Sequence, residues 1–176
     1  MKKTKDISVC EEAVFSTIYE EYYTSIRNFI YYKNGNLDEA EDITQETFVK
    51  LWNICKNVIF NTVKSYLFAI ANRLFLNVKR HEKVKLNFTK TYTQQHEIET
   101  PESAAIEKEF KEKLELAIAN LPEKSRTVFL LNRIDKKKFK EIAILLDVSI
   151  KTVENRMSIA LKQLKREVKE LKTFKI

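Results

Sequence analysis

The chain has 176 residues and a single glycine, Gly35. Average usage near 7% would supply about a dozen. With one glycine the sequence cannot hold a Walker A loop, a G-x-G-x-x-G dinucleotide fingerprint or a G-x-S-x-G nucleophile elbow. A hairpin-rich β fold is also disfavoured, because tight hairpin turns need residues at positive φ. Prolines number two, Pro101 and Pro122, which leaves long stretches free to be helical. Cysteines also number two. Cys10 and Cys55 lie far apart and form no C-x-x-C, so neither a disulfide nor a zinc framework is expected. No uncharged apolar run approaches the length that spans a bilayer, and no apolar run follows Met1 as in a signal peptide. The expected location is the cytoplasm.

What is present is apolar residues at 44% and charged residues at 32%, enough for a packed core. The net charge is +7 and the pI about 9.2, a balance suited to nucleic acid or an anionic surface. The distribution says more than the total. Residues 11–52 hold nine acidic side chains against three basic ones, Arg27, Lys33 and Lys50. Residues 53–80 hold Lys56, Lys64, Arg73, Lys79 and Arg80 and no acid. Residues 81–110 carry six acidic and four basic side chains, and residues 111–176 nine acidic and seventeen basic. Solvated helix faces could give such runs. Two basic blocks, preceded by an acidic block and separated by an acidic segment, fit better with two nucleic-acid surfaces and one surface for a different partner.

Apolar residues recur at helical spacing through Val14, Phe15, Ile18, Tyr19, Tyr22, Ile26, Phe29 and Ile30. Gly35 suits the C-terminal cap of this helix. Asp38 can cap a second helix, with Glu41 three residues on. Its apolar stripe is Ala40, Ile43, Thr44, Phe48, Leu51 and Trp52. Asn53–Thr62 reads as a loop. A third helix runs from about Val63 to Arg80, with Tyr66, Leu67, Ile70, Ala71, Leu74 and Val78 on one face. Periodicity is lost from His81 to Pro101, and this polar stretch has the composition of a linker. Helical spacing returns at Phe110, Leu114, Ala117, Ile118 and Leu121, breaks at Pro122, and resumes through Val128, Phe129 and Leu131. The expected fold is all-α: two small helical domains, residues 10–82 and 109–172, joined by a linker over 83–108.

The strongest local signal is FKEIAILLDVSIKTVENRMSIAL, residues 139–161. Ile142 and Leu146 suit the buried face of one helix, and small Ala143 admits a close second helix. Val148 plugs a turn, and Val153, Met157, Ala160 and Leu161 bury the partner. That spacing is a helix-turn-helix. Ser149 is placed to cap the second helix, and Asp147 stands where glycine is common at the turn. The free face shows Lys151, Thr152, Glu154, Asn155, Arg156 and Ser158, groups suited to base edges and phosphates in a major groove. Lys136, Lys137, Lys138 and Lys140 before it, and Lys162, Lys165, Arg166 and Lys169 after it, suit phosphates.

Together with Ala40-Glu-Asp-Ile-Thr-Gln-Glu-Thr-Phe-Val-Lys-Leu-Trp52, the segment Val63–Arg80 and Leu121-Pro-Glu-Lys-Ser-Arg126, this unit makes the chain resemble bacterial RNA polymerase sigma factors. The resemblance is to the extracytoplasmic-function (ECF) group, which carries only regions two and four, and it covers about residues 10–171. It implies a protein without catalysis, metal or cofactor. Such a protein recruits core polymerase, recognises two promoter elements and starts melting. It further implies that Asp42, Gln45, Glu46, Phe48, Val49 and Trp52 dock on the clamp coiled coil of the polymerase largest subunit. The minus-ten element would meet Asn57, Phe60, Asn61, Lys64, Phe68, Asn72, Arg73, Phe75, Lys79 and Arg80. Basic and aromatic side chains without acid nearby stabilise unpaired bases, by roughly 1–3 kcal/mol per stacked base. Loop 53–62 would hold a flipped base. The minus-thirty-five element would meet Arg126, Lys151, Thr152, Glu154, Asn155, Arg156, Ser158 and Lys162. Lys124, Arg126, Arg133 and the lysines around residue 137 would contact DNA backbone or the polymerase flap. An anti-sigma factor is the implied regulator.

Two other readings stand beside this one. A stand-alone helix-turn-helix regulator would bind duplex DNA without polymerase. A nuclease would use Asp38, Glu41, Asp42 and Glu46 as a divalent-metal cluster, but no histidine or nucleophile accompanies them.

Overall fold

The structure is a computed structural model. It describes the backbone of residues 8–78 and 101–167, and side chains over 8–78 and 110–167. Lys79, Arg80 and most of the expected linker lie outside the described residues. Among the described residues seven helices follow in order: α1 Glu12–Asn34, α2 Leu37–Ile54, α3 Val63–Val78, α4 Pro101–Ala119, α5 Glu123–Arg133, α6 Phe139–Leu146 and α7 Ile150–Glu167. Among the described residues the only β pairing is an isolated antiparallel bridge between Ser8 and Ile59. The fold is all-α, and α4 already begins at Pro101, inside the segment whose composition reads as linker.

Local chemistry explains the helix ends. α1 stops because Gly35 takes φ 71°, and its N–H returns to the Tyr31 carbonyl at 2.7 Å. The cap of α2 is Asn36, not Asp38. The extended Asn36 accepts the Glu39 N–H at 3.2 Å, while Asp38 sits inside the first turn, where its charge favours the helix N-terminus. Loop 53–62 is partly helical. α2 continues to Ile54, and single 3-10 turns follow at Cys55–Asn57 and Phe60–Thr62.

α3 is rotated from the face its periodicity suggests. Val63, Leu67, Phe68, Ala71, Leu74 and Phe75 are buried, while Tyr66 and Val78 are exposed. The helix packs against both α1 and α2, and two-sided cover needs the larger rings inside. Phe68 meets Phe29 of α1 edge-on at 5.2 Å. Such an aromatic pair contributes about 1 kcal/mol beyond its buried area.

Cys10 and Cys55 are joined by a disulfide, contrary to the expectation from their spacing. The segment before α1 crosses the segment after α2, with Val9 and Val58 buried and the Ser8–Ile59 bridge alongside. This places the two Cα atoms 5.2 Å apart despite a separation of 45 residues. Distance along the chain said nothing about distance in space.

The two helical units share one continuous core. α1 packs on α5, and α3 touches α6. This is why the last turn of α1 (Tyr31, Tyr32, Lys33 and Asn34) is buried on all sides.

Candidate polymerase and promoter surfaces

The acidic stripe comes first along the chain. On α2, Asp42, Gln45, Glu46, Val49 and Trp52 all face solvent, and their steps of three and four put them on one side. Val49 and Trp52 are 59% and 45% exposed, much for large apolar side chains. Phe48 departs from the expectation for this stripe. It is buried, its ring 4.8 Å from Tyr19 and 6.3 Å from both Phe15 and Tyr23. Phe15 also supports Trp52 edge-on at 4.9 Å. The stripe is thus an apolar ridge on an aromatic footing, flanked by carboxylates. Lys50 bridges Glu46 at 3.0 Å, and Arg27 of α1 reaches Glu41 at 3.6 Å. Both pairs are substantially exposed and contribute little to stability. Among the described residues no group of three or more His, Cys, Asp or Glu side chains is arranged to hold a metal.

The second surface is the basic, acid-free block. Asn57, Phe60, Asn61, Lys64 and Arg73 are exposed, and Asn72 is half-buried. Phe68 and Phe75 are each 1% exposed, so neither can stack on a base in this structure. Their place on the outside is taken by Tyr66, which the periodicity put inside, and by a loop residue. Tyr66 is 42% exposed and stands two helical turns before Arg73 on the same face, and Ile59 stands out from the loop. The absence of acid around Tyr66 was the available signal. Asn72 is also held from within. Lys33 of α1, itself buried, donates to the Asn72 side-chain oxygen and lies over the rings of Phe29 and Phe75.

The third surface is the helix-turn-helix. Asp147 takes φ 50°, and the Asp147 and Val148 amides close the end of α6 on the Ile144 and Ala143 carbonyls. The Ser149 hydroxyl accepts the Thr152 N–H at 3.1 Å and lies 2.9 Å from the Thr152 hydroxyl. Thr152 is therefore part of the cap. Lys151, Glu154, Asn155, Ser158 and Lys162 form an exposed row on α7, with Arg156 half-buried beside it. At the start of α6 the Glu141 carboxylate accepts the Lys138 N–H at 2.7 Å, and this bond holds its pKa below the ordinary range. Lys64 of the second surface also lowers it, which puts the two basic surfaces near one another.

Arg126 is not on that surface. It is 6% exposed, at the junction of the two units. Nε donates to the Tyr32 carbonyl at 3.0 Å and Nη2 to the Lys33 carbonyl at 2.8 Å, while Nη1 reaches the carbonyls of Ala119 (3.2 Å) and Leu121 (3.0 Å). One guanidinium thereby satisfies the open carbonyl ends of α1 and α4, where helix dipoles favour a cation. Burial pulls its pKa down from the ordinary arginine value. The expectation of a phosphate contact failed because arginine's planar fork suits carbonyls as well as phosphates. Nearby, Tyr32 donates to Asp135 at 2.7 Å. The second Asp135 oxygen is buried without a partner among the described residues, and burial pushes this carboxyl above its usual range.

Comparison with known proteins finds matches along both helical units. Family models for "Sigma-70 region 2" and "Sigma-70, region 4" match residues 18–84 and 111–164. The ECF RNA polymerase sigma factor SigW of Bacillus subtilis is 28% identical, over 97% of this chain and 97% of its own. The sigma factor YlaC of the same organism is 26% identical, over 86% of this chain and 90% of its own. Two solved structures share the fold. RpoE of Bartonella quintana, solved with the anti-sigma factor NepR, has a TM-score of 0.65 at 17% identity, covering 88% of this chain and 96% of that one. CnrH, solved with the cytosolic domain of CnrY, has a TM-score of 0.60 at 18% identity, covering 91% and 90%.

Proposed function

We propose, starting from the fact that this chain belongs to the sigma-70 family and within it to the ECF group, a division of labour among its three surfaces. The protein is a promoter-specificity subunit of bacterial RNA polymerase: it binds the core enzyme and directs promoter recognition, melting and transcription initiation. The α2 stripe of Asp42, Gln45, Glu46, Val49 and Trp52 docks on the clamp coiled coil, with Phe48 shaping it from beneath. Asn57, Phe60, Asn61, Lys64, Tyr66 and Arg73 engage the minus-ten element. Lys151, Glu154, Asn155, Arg156, Ser158 and Lys162 engage the minus-thirty-five element. An anti-sigma factor that covers these surfaces is the matching regulator. No described helix is long and apolar enough to cross a membrane.

The observation that carries this division is the separation of charge by element. The exposed apolar ridge sits on a predominantly acidic element, whose charge repels DNA, while residues 53–78, which carry the exposed asparagines and aromatics, contain basic side chains and no acidic one. The decisive experiment is transcription by core polymerase over a random promoter library. Initiation that needs this protein and selects two elements upholds the reading. Tight, specific duplex binding by the free protein, with no gain from core, would replace it with the stand-alone regulator.

A further inference from the structure

We propose that Cys10 and Cys55 form a reversible thiol-oxidation site that takes hydrogen peroxide, and that closing it orders the loop which reads the minus-ten element. These are the only cysteines in the chain, and the fold brings them into one bond. A polymerase subunit works among DNA and reducing agents, where lasting disulfides are rare and the ones that form are mostly transient or redox-sensing. Cys10 is half-buried and Cys55 buried, so an oxidant in solution reaches Cys10 first. The Cys10 thiolate attacks the peroxide, the O–O bond breaks, and sulfenic acid and water result. The Cys55 thiolate then attacks the sulfenic sulfur, and the oxygen leaves as a second water. Two thiols have lost two protons and two electrons, and the peroxide has become two waters. Thiol–disulfide exchange with a small thiol restores the start.

The consequence follows from where the bond lies. Cys55 opens the segment between α2 and α3, and Cys10 lies immediately before α1. The segment itself is thinly held, with two single 3-10 turns, exposed Asn57, Ile59, Phe60 and Asn61, and only Val58 and Cys55 as buried anchors. With the bond closed, the Ser8–Ile59 bridge docks a second strand of chain on this segment. Asn57, Phe60 and Asn61 stay exposed in this bonded form, so the bond orders them without covering them. Ordering a binding loop beforehand removes an entropic cost of binding. Oxidation therefore strengthens single-stranded minus-ten binding.

The last step rests on the promoter reading above, and the test separates the two. The full-length wild-type protein is treated with hydrogen peroxide or with dithiothreitol. Mass spectrometry and alkylation read the bond, hydrogen exchange reads residues 55–62, and core-dependent binding of a minus-ten single strand reads function. The expected results are a loss of two hydrogens with both cysteines protected, slower exchange over 55–62, and several-fold tighter strand binding. Cys10→Ser should behave like the reduced protein in both conditions. Two alkylated cysteines after peroxide, or the same exchange in both states, would each overturn the proposal, and so would equal strand affinity in both states of a protein that does support initiation with core polymerase. If neither state supports initiation with core polymerase on any promoter while bond and exchange respond as expected, the promoter reading falls and the oxidation site stands.

Discussion

At the scale of single residues, the informative positions are those whose chemistry has more than one use. Phe68 and Phe75 sit in the basic block, where an aromatic ring can stack on a base or fill a core. The structure gives them to the core. Phe75→Ala should then cost about 3–5 kcal/mol of unfolding free energy in urea titration, the range for a buried phenylalanine. A base-stacking residue on the surface would leave stability within about 0.5 kcal/mol. Arg126 makes the same point for charge. Arg126→Ala strands four carbonyls and should destabilise by about 3 kcal/mol. Arg126→Lys should recover little, because an ammonium cannot match a planar fork. Thermal melts of the three proteins read this directly. Nothing in Leu121-Pro-Glu-Lys-Ser-Arg126 taken alone reveals that two helix ends converge on this side chain. The exposure of the acidic stripe was legible because its carboxylates at steps of three and four must face water. Phe48, inside the same stripe, was not, because burial depends on what α1 brings against it.

At the scale of elements, sequence spacing settled most of what is local, the α2 cap at Asn36 rather than Asp38 excepted, and failed where two neighbours compete. Gly35, Ser149 and the left-handed Asp147 all act within a few residues of themselves, and each does what its chemistry suggests. The face of α3 was misjudged because a helix covered by both α1 and α2 has a wide buried arc, and a narrow stripe cannot indicate its centre. The turn offers a clean measurement. Asp147 carries a Cβ at φ 50°, so Asp147→Gly should stabilise the protein by up to about 1 kcal/mol. Ser149→Ala should cost about 1 kcal/mol through the lost cap of α7. On the row of α7 the expected effects on DNA differ in kind. Asn155→Ala should change base preference within the minus-thirty-five element. Lys162→Ala should weaken all sequences alike and reduce the slope of log affinity against log salt by about one. Binding assays of the polymerase complex over a salt series separate them, and equal shifts in base preference would show that the row is sorted wrongly.

At the scale of the whole molecule, the proposed assignment of one promoter element to each unit is incompatible with the packed arrangement. The two elements named for positions minus ten and minus thirty-five lie about 25 base pairs apart, or about 85 Å at 3.4 Å per step. A compact chain of this length has a radius of gyration near 16 Å. If each unit holds one element as proposed, the units part on DNA, giving up the bonds from Arg126 to the carbonyls of Tyr32 and Lys33 and the bond from Tyr32 to Asp135. The Asp135 contact makes the closure pH-dependent. Its carboxyl is pushed above the ordinary value of 3.8 mainly by burial, with the Tyr32 hydroxyl and Lys137 opposing. A raised value means that the closed form binds this proton more tightly than the open form. The contribution to closure is full below the ordinary value and is lost as pH rises through the raised one. Acidification should thus tighten the closed form, and Asp135→Asn, which cannot ionise, should remove that pH dependence. Tyr32→Phe deletes the hydroxyl while keeping the ring, so it should loosen the closure at neutral pH. Small-angle scattering reads both. The radius of gyration should fall from neutral pH toward the ordinary carboxyl range in the wild type, stay flat in Asp135→Asn, and be larger at neutral pH in Tyr32→Phe. A wild-type radius insensitive to pH would show that this carboxyl does not govern the closure.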